Sequence, residues 1–449
     1  MNNNQIFQLP GWKIATLVKE KKISASEVAI LFIERIKKLN SKFLAWTHLD
    51  YDYFINQAKK IDISMNDGKL LGVPVGVKDI FNTEVYPTEM GSIIWKGHKA
   101  GNDARCITYL KNEGCIIAGK TDTAEFAVHT PGKSLNPWNS NHVTGTSSGG
   151  SAVAVSCAMV PISTSTQTSG STIRPASYCG IYGMKPSFGV IPRTGVLKTT
   201  DTLDNIGFFG RSPKDLKLLF ESMSVSGWNY PTLENSLRIK KNRKNKWKIL
   251  FLKGFFWNDY DEDTKKSMEK IAQNISKIKN VSVVEIKLPQ NFNHSLKLHS
   301  RIYNSCLRYY FKDEIESGYN NLSDNFKELI EEAKLLSADD YKSALTEQNN
   351  LANELSRFMK KNDIDLILHN SSKGPAPVKI EPKINKDLNH LWTLCWVPVI
   401  NIPFFKSKEN LPFGYQLIGP RLNDYYLFDF LDLLIENNLA PEVSPLSIE

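Results

Sequence analysis

A serine- and glycine-rich stretch over residues 144–189 constrains this 449-residue chain more than any other segment. It contains two turns of small residues, one around Ser147 and one around Ser171, and an apolar run from Ala152 to Ile162 lies between them. Glycine lets backbone N–H groups approach a ligand closely, and a serine hydroxyl can attack an electrophile or relay a proton. Such composition is also typical of surface turns and linkers. Because the apolar run between the turns has to be buried, we favour two ordered turns at a site.

The composition and charge are those of a globular protein with a large core, at 41% hydrophobic and 23% charged residues. The formal net charge of +9 comes from lysines spread along the chain, so it does not by itself indicate an anionic partner. The densest basic cluster, residues 238–248, has no companion motif for base or phosphate recognition. We interpret it as a solvated linker and expect no nucleic-acid partner.

The six cysteines stand at spacings that match neither a C-x-x-C metal site nor a small disulfide scaffold. We therefore expect reduced, mostly buried thiols and no metal. No apolar segment approaches the length of a membrane span, and the amino terminus lacks a charged leader followed by an apolar run. These features predict a cytoplasmic protein without a membrane partner.

Strand-like and helical patterns alternate along the chain, which is typical of an α/β sheet. We predict strands at 72–80, 115–119, 160–165, 248–252, 281–286, 365–369, 397–402 and 414–418, and helices within 11–39, 103–113, from about 150, 304–360 and 424–437. We find neither an internal repeat nor a long low-complexity linker. The sequence therefore predicts one large α/β domain over residues 1–449 with a variable helical insert at 300–360.

Suppose that Ser171 is a nucleophile, which then needs a base. Neither His129 nor His142 lies in a motif that would supply one. Lys78 follows the apolar run GVPVGV, and a lysine that is desolvated loses its charge readily. A solvated strand end is the usual place for a single lysine, but Ser147 offers a hydroxyl that could pass a proton between Lys78 and Ser171. These residues predict an acyl-transfer site without histidine.

The backbone N–H groups of Thr168, Ser169, Gly170 and Ser171 are the candidate donors to a developing oxyanion. Such donors have to point at the place where negative charge forms in the transition state. A short turn of small residues directly before the nucleophile is suited to that task.

Several motifs accompany residues 145–189: GVPVGVKDIF at 72–81, GKTDTAEFA at 119–127, SFGVIPRTG at 187–195, DTLDNIG at 201–207, and the carboxyl-terminal LWTLCWVPVINIP and LPFGYQLIGP. In these motifs the chain resembles the amidase signature family, over most of its length. The resemblance implies an amidase signature fold, which is a mixed, largely parallel twisted sheet flanked by helices.

The resemblance also implies the site residues. It places a Ser-cisSer-Lys triad on Ser171, Ser147 and Lys78, with a cis peptide bond before Ser147. It implies hydrolysis of a small-molecule carboxylic amide (a linear amide C–N bond) to an acid and ammonia or an amine through an acyl-enzyme, with no cofactor and no metal. It is compatible with a homodimer.

The chain departs from the usual family pattern near the nucleophile. The family run Thr-Asp-Thr-Gly-Gly-Ser is replaced by TQTSGS, so that Gln167 stands in place of the acid and Ser169 in place of a glycine. Ile173 occupies the usual arginine position and Arg174 follows it, which resembles a branch of free-standing amidases. Thr146 replaces a frequent glycine before the relay serine. These changes bear on substrate preference more than on hydrolysis.

Two other interpretations stay open. The A subunit of the tRNA-dependent amidotransferase resembles the same motifs, hydrolyses glutamine and works with partner subunits; the segment at 391–394 looks more like free-standing amidases. A catalytically inactive binding protein on the same fold is the second. The presence of all three proposed catalytic residues argues against it.

The sequence says least about the substrate. We expect Met90, Gly91, Ser92 and Trp392 to contribute to the pocket, although a buried tryptophan is more often part of a core. Asp204 falls in a motif shared with the family and is expected to be structural. For Asp79 two interpretations stay open: it orients the region around Lys78, or it is a simple turn or cap carboxylate.

Overall fold

The computed structural model describes residues 3–64, 67–225, 244–379 and 387–446. Most of the basic cluster, residues 238–243, therefore lies outside the described residues. In the described ranges, no helix is both long enough and apolar enough to cross a membrane. The six cysteines are free and buried, as predicted from their spacing.

The centre of the molecule is one eleven-stranded sheet with the strand order β1-β3-β2-β4-β6-β5-β10-β11-β9-β7-β8. The strands are β1 (Trp46–Leu49), β2 (Pro74–Lys78), β3 (Ile116–Thr121), β4 (Ile162–Gln167), β5 (Tyr182–Lys185), β6 (Asn205–Gly210), β7 (Trp247–Phe251), β8 (Val281–Val284), β9 (Leu366–Asn370), β10 (Val399–Lys406) and β11 (Pro412–Ile418).

The sheet is mixed, as expected, but it contains more antiparallel pairs than the resemblance implied. Parallel pairing occurs in β3-β2-β4 and in β9-β7-β8. The centre from β4 to β9 is antiparallel, as is the edge pair β1-β3. The hairpin of β10 and β11 contributes to this, because a short connection can only join antiparallel strands.

Helices cover the sheet. They are α1 (Gly11–Lys19), α2 (Ala25–Phe43), α3 (Tyr51–Asp62), α4 (Arg105–Asn112), α5 (Gly149–Ser156), α6 (Ile173–Cys179), α7 (Pro213–Met223), α8 (Glu262–Ser276), α9 (Ser295–Tyr310), α10 (Lys312–Gly318), α11 (Asp324–Lys334), α12 (Ala338–Lys361), α13 (Asn389–Leu394) and α14 (Asp424–Glu436). The start of α2 is a capping box in which Ser24 and Glu27 satisfy each other's backbone donors. Every residue of α5 is buried, so this helix is enclosed in the core.

Helices α9 to α12 follow one another with short breaks and make up a helical segment over residues 295–361, which overlaps the predicted insert. It contacts the loops beside the serine-rich turns. Tyr310 and Tyr341 donate hydrogen bonds to Asp201, and Thr202 donates one to Gln348. This segment is therefore joined to the loop that precedes β6.

Candidate functional site

Lys78 is the last residue of β2, and its side chain is completely buried. Strands β2 and β4 run parallel as neighbours, so Lys78 lies beside the end of β4 and the amino terminus of α5. Its Nζ lies 2.8 Å from Ser147 Oγ, 3.0 Å from Ser148 Oγ and 2.8 Å from Thr166 Oγ1. Three hydroxyls therefore surround the amine of Lys78.

Burial lowers the pKa of Lys78 well below its ordinary value of 10.5. The charge of Asp204 opposes this effect but does not cancel it. Removal from water disfavours the ammonium form. A hydroxyl stabilises the positive charge less than a carboxylate in direct contact would. Burial therefore favours the neutral form of the amine over the ammonium form.

A neutral amine has two N–H donors and one lone pair, whereas an ammonium has three donors. Since three hydroxyls surround Nζ, one of them has to donate to it once the amine is neutral. Ser148 directs its proton at the carbonyl oxygen of Thr166, at 3.3 Å. Ser147 and Thr166 are thus the hydroxyls that remain to donate to Lys78.

Ser171 lies in the turn between β4 and α6, and it is half-buried. Its hydroxyl makes no hydrogen bond to any described residue. The structure thus brings Lys78 and Ser147 into direct contact, while the relay from Ser147 to Ser171 stays a prediction. Hydrogen bonds at catalytic groups often tighten only when substrate binds.

The cis peptide bond expected before Ser147 is wrong for this structure: all peptide bonds in the described residues are trans. The chain instead turns through positive φ angles at Gly145 and Thr146, of 100° and 79°. Without proline the trans isomer is the lower in energy by about 3 kcal/mol. A positive φ is unusual for a β-branched residue such as Thr146, so the backbone next to Ser147 is strained.

Gln167, which stands in place of the acid of the usual family pattern, organises the turn that contains Ser171. Its Oε1 accepts hydrogen bonds from the backbone N–H groups of Thr172 and Ile173, both at 3.1 Å. Its Nε2 donates to Thr393 Oγ1 at 3.2 Å. A neutral carboxamide therefore holds the start of α6 and braces the turn against α13.

Arg174 is buried and pairs through Nε with Asp387 at 2.9 Å. Burial lowers the pKa of Arg174, but Asp387 raises it by more, so the guanidinium stays charged. Its Nη2 lies so close to Gly170 that a Cβ at that residue would be only 2.5 Å away. Glycine at this position is therefore required for the close approach of Arg174.

Asp204 has the structural role that the sequence analysis expected. Its carboxylate accepts five hydrogen bonds, from the hydroxyls of Thr168, Thr199 and Thr200 and from the backbone N–H groups of the last two. Asp79 is likewise structural, because it forms a buried ion pair with Lys120 at 3.0 Å.

A cavity of about 230 Å³ reaches one of the three hydroxyl residues around Lys78, namely Thr166. Its wall includes apolar side chains such as Ile80 and Leu197, the hydroxyl residues Thr166 and Thr168, and the charged residues Asp204, Arg193 and Lys198. An opening of this size suits a small ligand that carries both apolar and polar groups.

The four residues predicted to contact substrate are not part of that wall. Met90 accepts a backbone hydrogen bond from Phe126, Gly91 packs closely on the carbonyls of Thr123 and Ala124, and Ser92 caps a short 3-10 helix. Trp392 is fully buried beside His369. The structure gives these residues packing roles, and contact with substrate stays a prediction for them.

Three residues near the site were missed by sequence reasoning. Ser148 and Thr166 contact Lys78, and His299 of α9 lies 2.9 Å from the carbonyl oxygen of Thr168. Ser148 and Thr166 were within the serine-rich stretch, but their hydroxyls were not distinguishable from many others. His299 had no sequence signal at all.

The fold and the site together define an α/β protein with a buried lysine among serine and threonine hydroxyls. The family model described as Amidase matches residues 27–428, and the chain belongs to that family. This confirms the family resemblance.

The curated relatives of the chain include the A subunit of the glutamyl-tRNA(Gln) amidotransferase from Clostridium botulinum strain Alaska E43. It is 28% identical over 468 residues, which cover 93% of this chain and 94% of the relative.

The solved structures that share the fold carry different names. One is a 6-aminohexanoate cyclic dimer hydrolase complexed with substrate, with a TM-score of 0.83, 20% identity and coverage of 96% and 97% of the two chains. Another is the A subunit of the glutamyl-tRNA(Gln) amidotransferase from Thermotoga maritima, with a TM-score of 0.79, 23% identity and coverage of 98% of each chain.

Proposed function

We propose that this protein is an amidase that hydrolyses a carboxylic amide to an acid and ammonia or an amine. The observation that carries the proposal is the buried Lys78 amine, whose pKa is lowered well below its ordinary value and which contacts Ser147 at 2.8 Å. A buried lysine without a carboxylate partner is costly for a fold, and such groups concentrate at functional sites.

In the proposed mechanism, Ser171 Oγ attacks the amide carbon while its proton passes to Ser147 and the proton of Ser147 passes to Lys78. The negative charge that forms on the carbonyl oxygen is stabilised by backbone N–H groups of residues 168–171. The C–N bond then breaks as Lys78 returns a proton through Ser147 to the leaving nitrogen. Water attacks the resulting acyl-enzyme by the same relay in reverse and releases the acid.

A panel of amides, ureides and glutamine, assayed for release of ammonia or amine, tests this proposal. We expect at least one of these compounds to be hydrolysed by the wild type and none by Ser171→Ala. Hydrolysis at an undiminished rate by a purified, folded Ser171→Ala protein would refute the role of Ser171.

A second candidate is the glutamine-hydrolysing A subunit of a tRNA-dependent amidotransferase. The full-length similarity to proteins of that name favours it. The replacements at Gln167 and Arg174 favour a free-standing amidase, because they resemble that branch of the family. Co-purification of the native protein decides between the two: stable capture of further subunits together with glutaminase activity would establish the second candidate.

A further inference from the structure

The turn before the proposed nucleophile is anchored from the side of the helices through two consecutive carbonyl groups. The carbonyl oxygen of Thr168 lies 2.9 Å from His299 Nε2, and that of Ser169 lies 3.0 Å from Thr393 Oγ1. The single hydroxyl proton of Thr393 is shared with the carbonyl oxygen of Asn389, at 3.1 Å. His299 belongs to α9 and Thr393 to α13. Two helices that are far apart in sequence thus hold adjacent peptide groups of one short turn.

The hydrogen-bond roles follow from the chemistry of the partners. A carbonyl oxygen can only accept, so His299 Nε2 has to carry the proton and donate it. Burial lowers the pKa of His299, which keeps the ring neutral with its single proton on Nε2. The ring also stacks on Tyr303, with centroids 5.6 Å apart and planes inclined by 28°, so its orientation is fixed by packing.

The two anchoring helices are themselves connected. Ser295 of α9 lies 3.0 Å from His390 of α13 through Oγ and Nε2. Thr168 is held on its other side as well, because its hydroxyl donates to Asp204 at 2.9 Å. The hydrogen bonds of His299 and Thr393 to the turn are therefore part of a network that extends into the core. This network limits how far the turn can move.

Fixing a carbonyl also fixes the N–H of the same peptide group. In a planar trans peptide the C=O and N–H bonds point in opposite directions. Anchoring the carbonyls of Thr168 and Ser169 towards the helices consequently directs the N–H groups of Ser169 and Gly170 away from them. Neither N–H donates a hydrogen bond within the described residues.

We propose that His299, a positioning residue contributed by the helical segment at 295–361, acts with Thr393 to aim the N–H groups of Ser169 and Gly170 at the developing oxyanion. The inference rests on the proposed function for its kinetic consequence. It gives the helical segment a part in transition-state stabilisation although none of its residues needs to touch the substrate.

The test compares two substitutions at one position. His299→Gln places an amide N–H close to where the imidazole Nε2–H was, whereas His299→Leu removes the donor and keeps an apolar side chain. His294→Leu is the matched control, because His294 is an exposed histidine just before α9 without a contact to the turn.

The kinetic arm uses a fluorophosphonate probe, with the modified residue located by peptide mass spectrometry. Ser171 Oγ forms a bond to phosphorus, the P–F bond breaks, fluoride leaves, and the hydroxyl proton passes through Ser147 to Lys78. We expect His299→Leu to lower the maximal labelling rate about tenfold to a hundredfold while the half-saturating probe concentration stays unchanged. His299→Gln should recover most of this loss, and His294→Leu should label like the wild type.

The structural arm measures hydrogen–deuterium exchange in peptides that cover residues 164–174. We expect faster exchange in His299→Leu than in His299→Gln or in the wild type, because the turn has lost one anchor. A folded His299→Leu protein with wild-type labelling and exchange would overturn the inference, as would a His299→Gln protein as impaired as His299→Leu.

The two arms separate this inference from the proposed function. If the probe does not label Ser171 in the wild type, the proposed function fails. The exchange measurement still decides whether His299 anchors the turn, and an unchanged exchange rate in His299→Leu would overturn that anchor independently.

Discussion

Two buried lysines on neighbouring strands have different hydrogen-bond partners in this protein. Lys78 ends β2 and Lys120 lies one register position earlier on the parallel strand β3. Lys120 Nζ forms an ion pair with Asp79 at 3.0 Å and also contacts Thr88 Oγ1 and the carbonyl of Pro87. Among the described residues, the hydrogen-bond partners of Lys78 Nζ are three hydroxyls.

The difference distinguishes a structural cation from the lysine that we propose as the base. Burial lowers the pKa of both residues. At Lys120 the directly bonded carboxylate of Asp79 opposes this effect, whereas at Lys78 it is opposed by the charge of Asp204, which is not in contact with the amine. We infer that Lys120 supports the fold and that Lys78 weakens it in exchange for a neutral amine. The predictions that follow test this contrast.

The largest effect is expected when Lys78 is replaced by methionine. Amide hydrolysis should fall at least about 10³-fold, because the proposed relay loses its base. Stability should be unchanged or higher, since a buried amine without a carboxylate partner is replaced by an apolar side chain. Ammonia release and urea denaturation measure the two quantities. A Lys78→Met protein that is both active and less stable would contradict the proposed difference between Lys78 and Lys120.

Lys120→Met should act on the fold instead. It leaves Asp79 buried without its cation, which costs about 3–5 kcal/mol of stability. Urea denaturation measures this loss, and the double variant Asp79→Asn with Lys120→Met should recover part of it. If the single and double variants were equally unstable, the ion pair would not be the source of the effect.

The pH dependence should also distinguish Lys78. Its pKa is lower in the folded chain than its ordinary value of 10.5, so between the two values the unfolded chain binds the additional proton. Stability of the wild type relative to Lys78→Met should therefore rise with pH, by at most about 1.4 kcal/mol per pH unit. Denaturation of both proteins at pH 7 and pH 9 checks the sign. A difference that is independent of pH would indicate that Lys78 is charged in the folded state.

The smallest effects are expected from a matched pair of threonine substitutions. Thr166→Val removes a hydroxyl from Lys78, and Thr88→Val removes one from Lys120. Each should cost about 1 kcal/mol of stability. Only Thr166→Val should also lower the hydrolysis rate, by about tenfold. Equal activity of the two variants would mean that the Thr166 hydroxyl does not affect the proposed function of the Lys78 amine.

The sequence predicted the family, the mixed sheet and most elements, because these follow from local patterns and motifs. The apolar run ending at Lys78, the turn after β4 and the capping box at Ser24 are examples. The antiparallel centre of the sheet was not predicted, because strand direction there depends on pairings between distant segments.

The residues of the candidate site could be predicted from the sequence where they lie in recognisable motifs. Lys78 and Ser147 are in contact, and their catalytic roles stay predictions. The contact of Thr166 with Lys78 depends on the lateral register of β2 and β4. His299 could not be found from sequence, since a single histidine on an amphipathic helix usually belongs to the core. Only the packing of α9 on the turn places it beside Thr168.

The position of β5 has a consequence for how the chain reaches its native state. This strand pairs with β10, whose residues are about 200 positions further along. On the ribosome, β5 is therefore made long before its partner emerges, and its backbone edge stays open in the meantime. Contacts between such distant segments slow folding, and open strand edges promote aggregation. Nascent chains that stop before residue 399 should accordingly depend on chaperones to remain unaggregated.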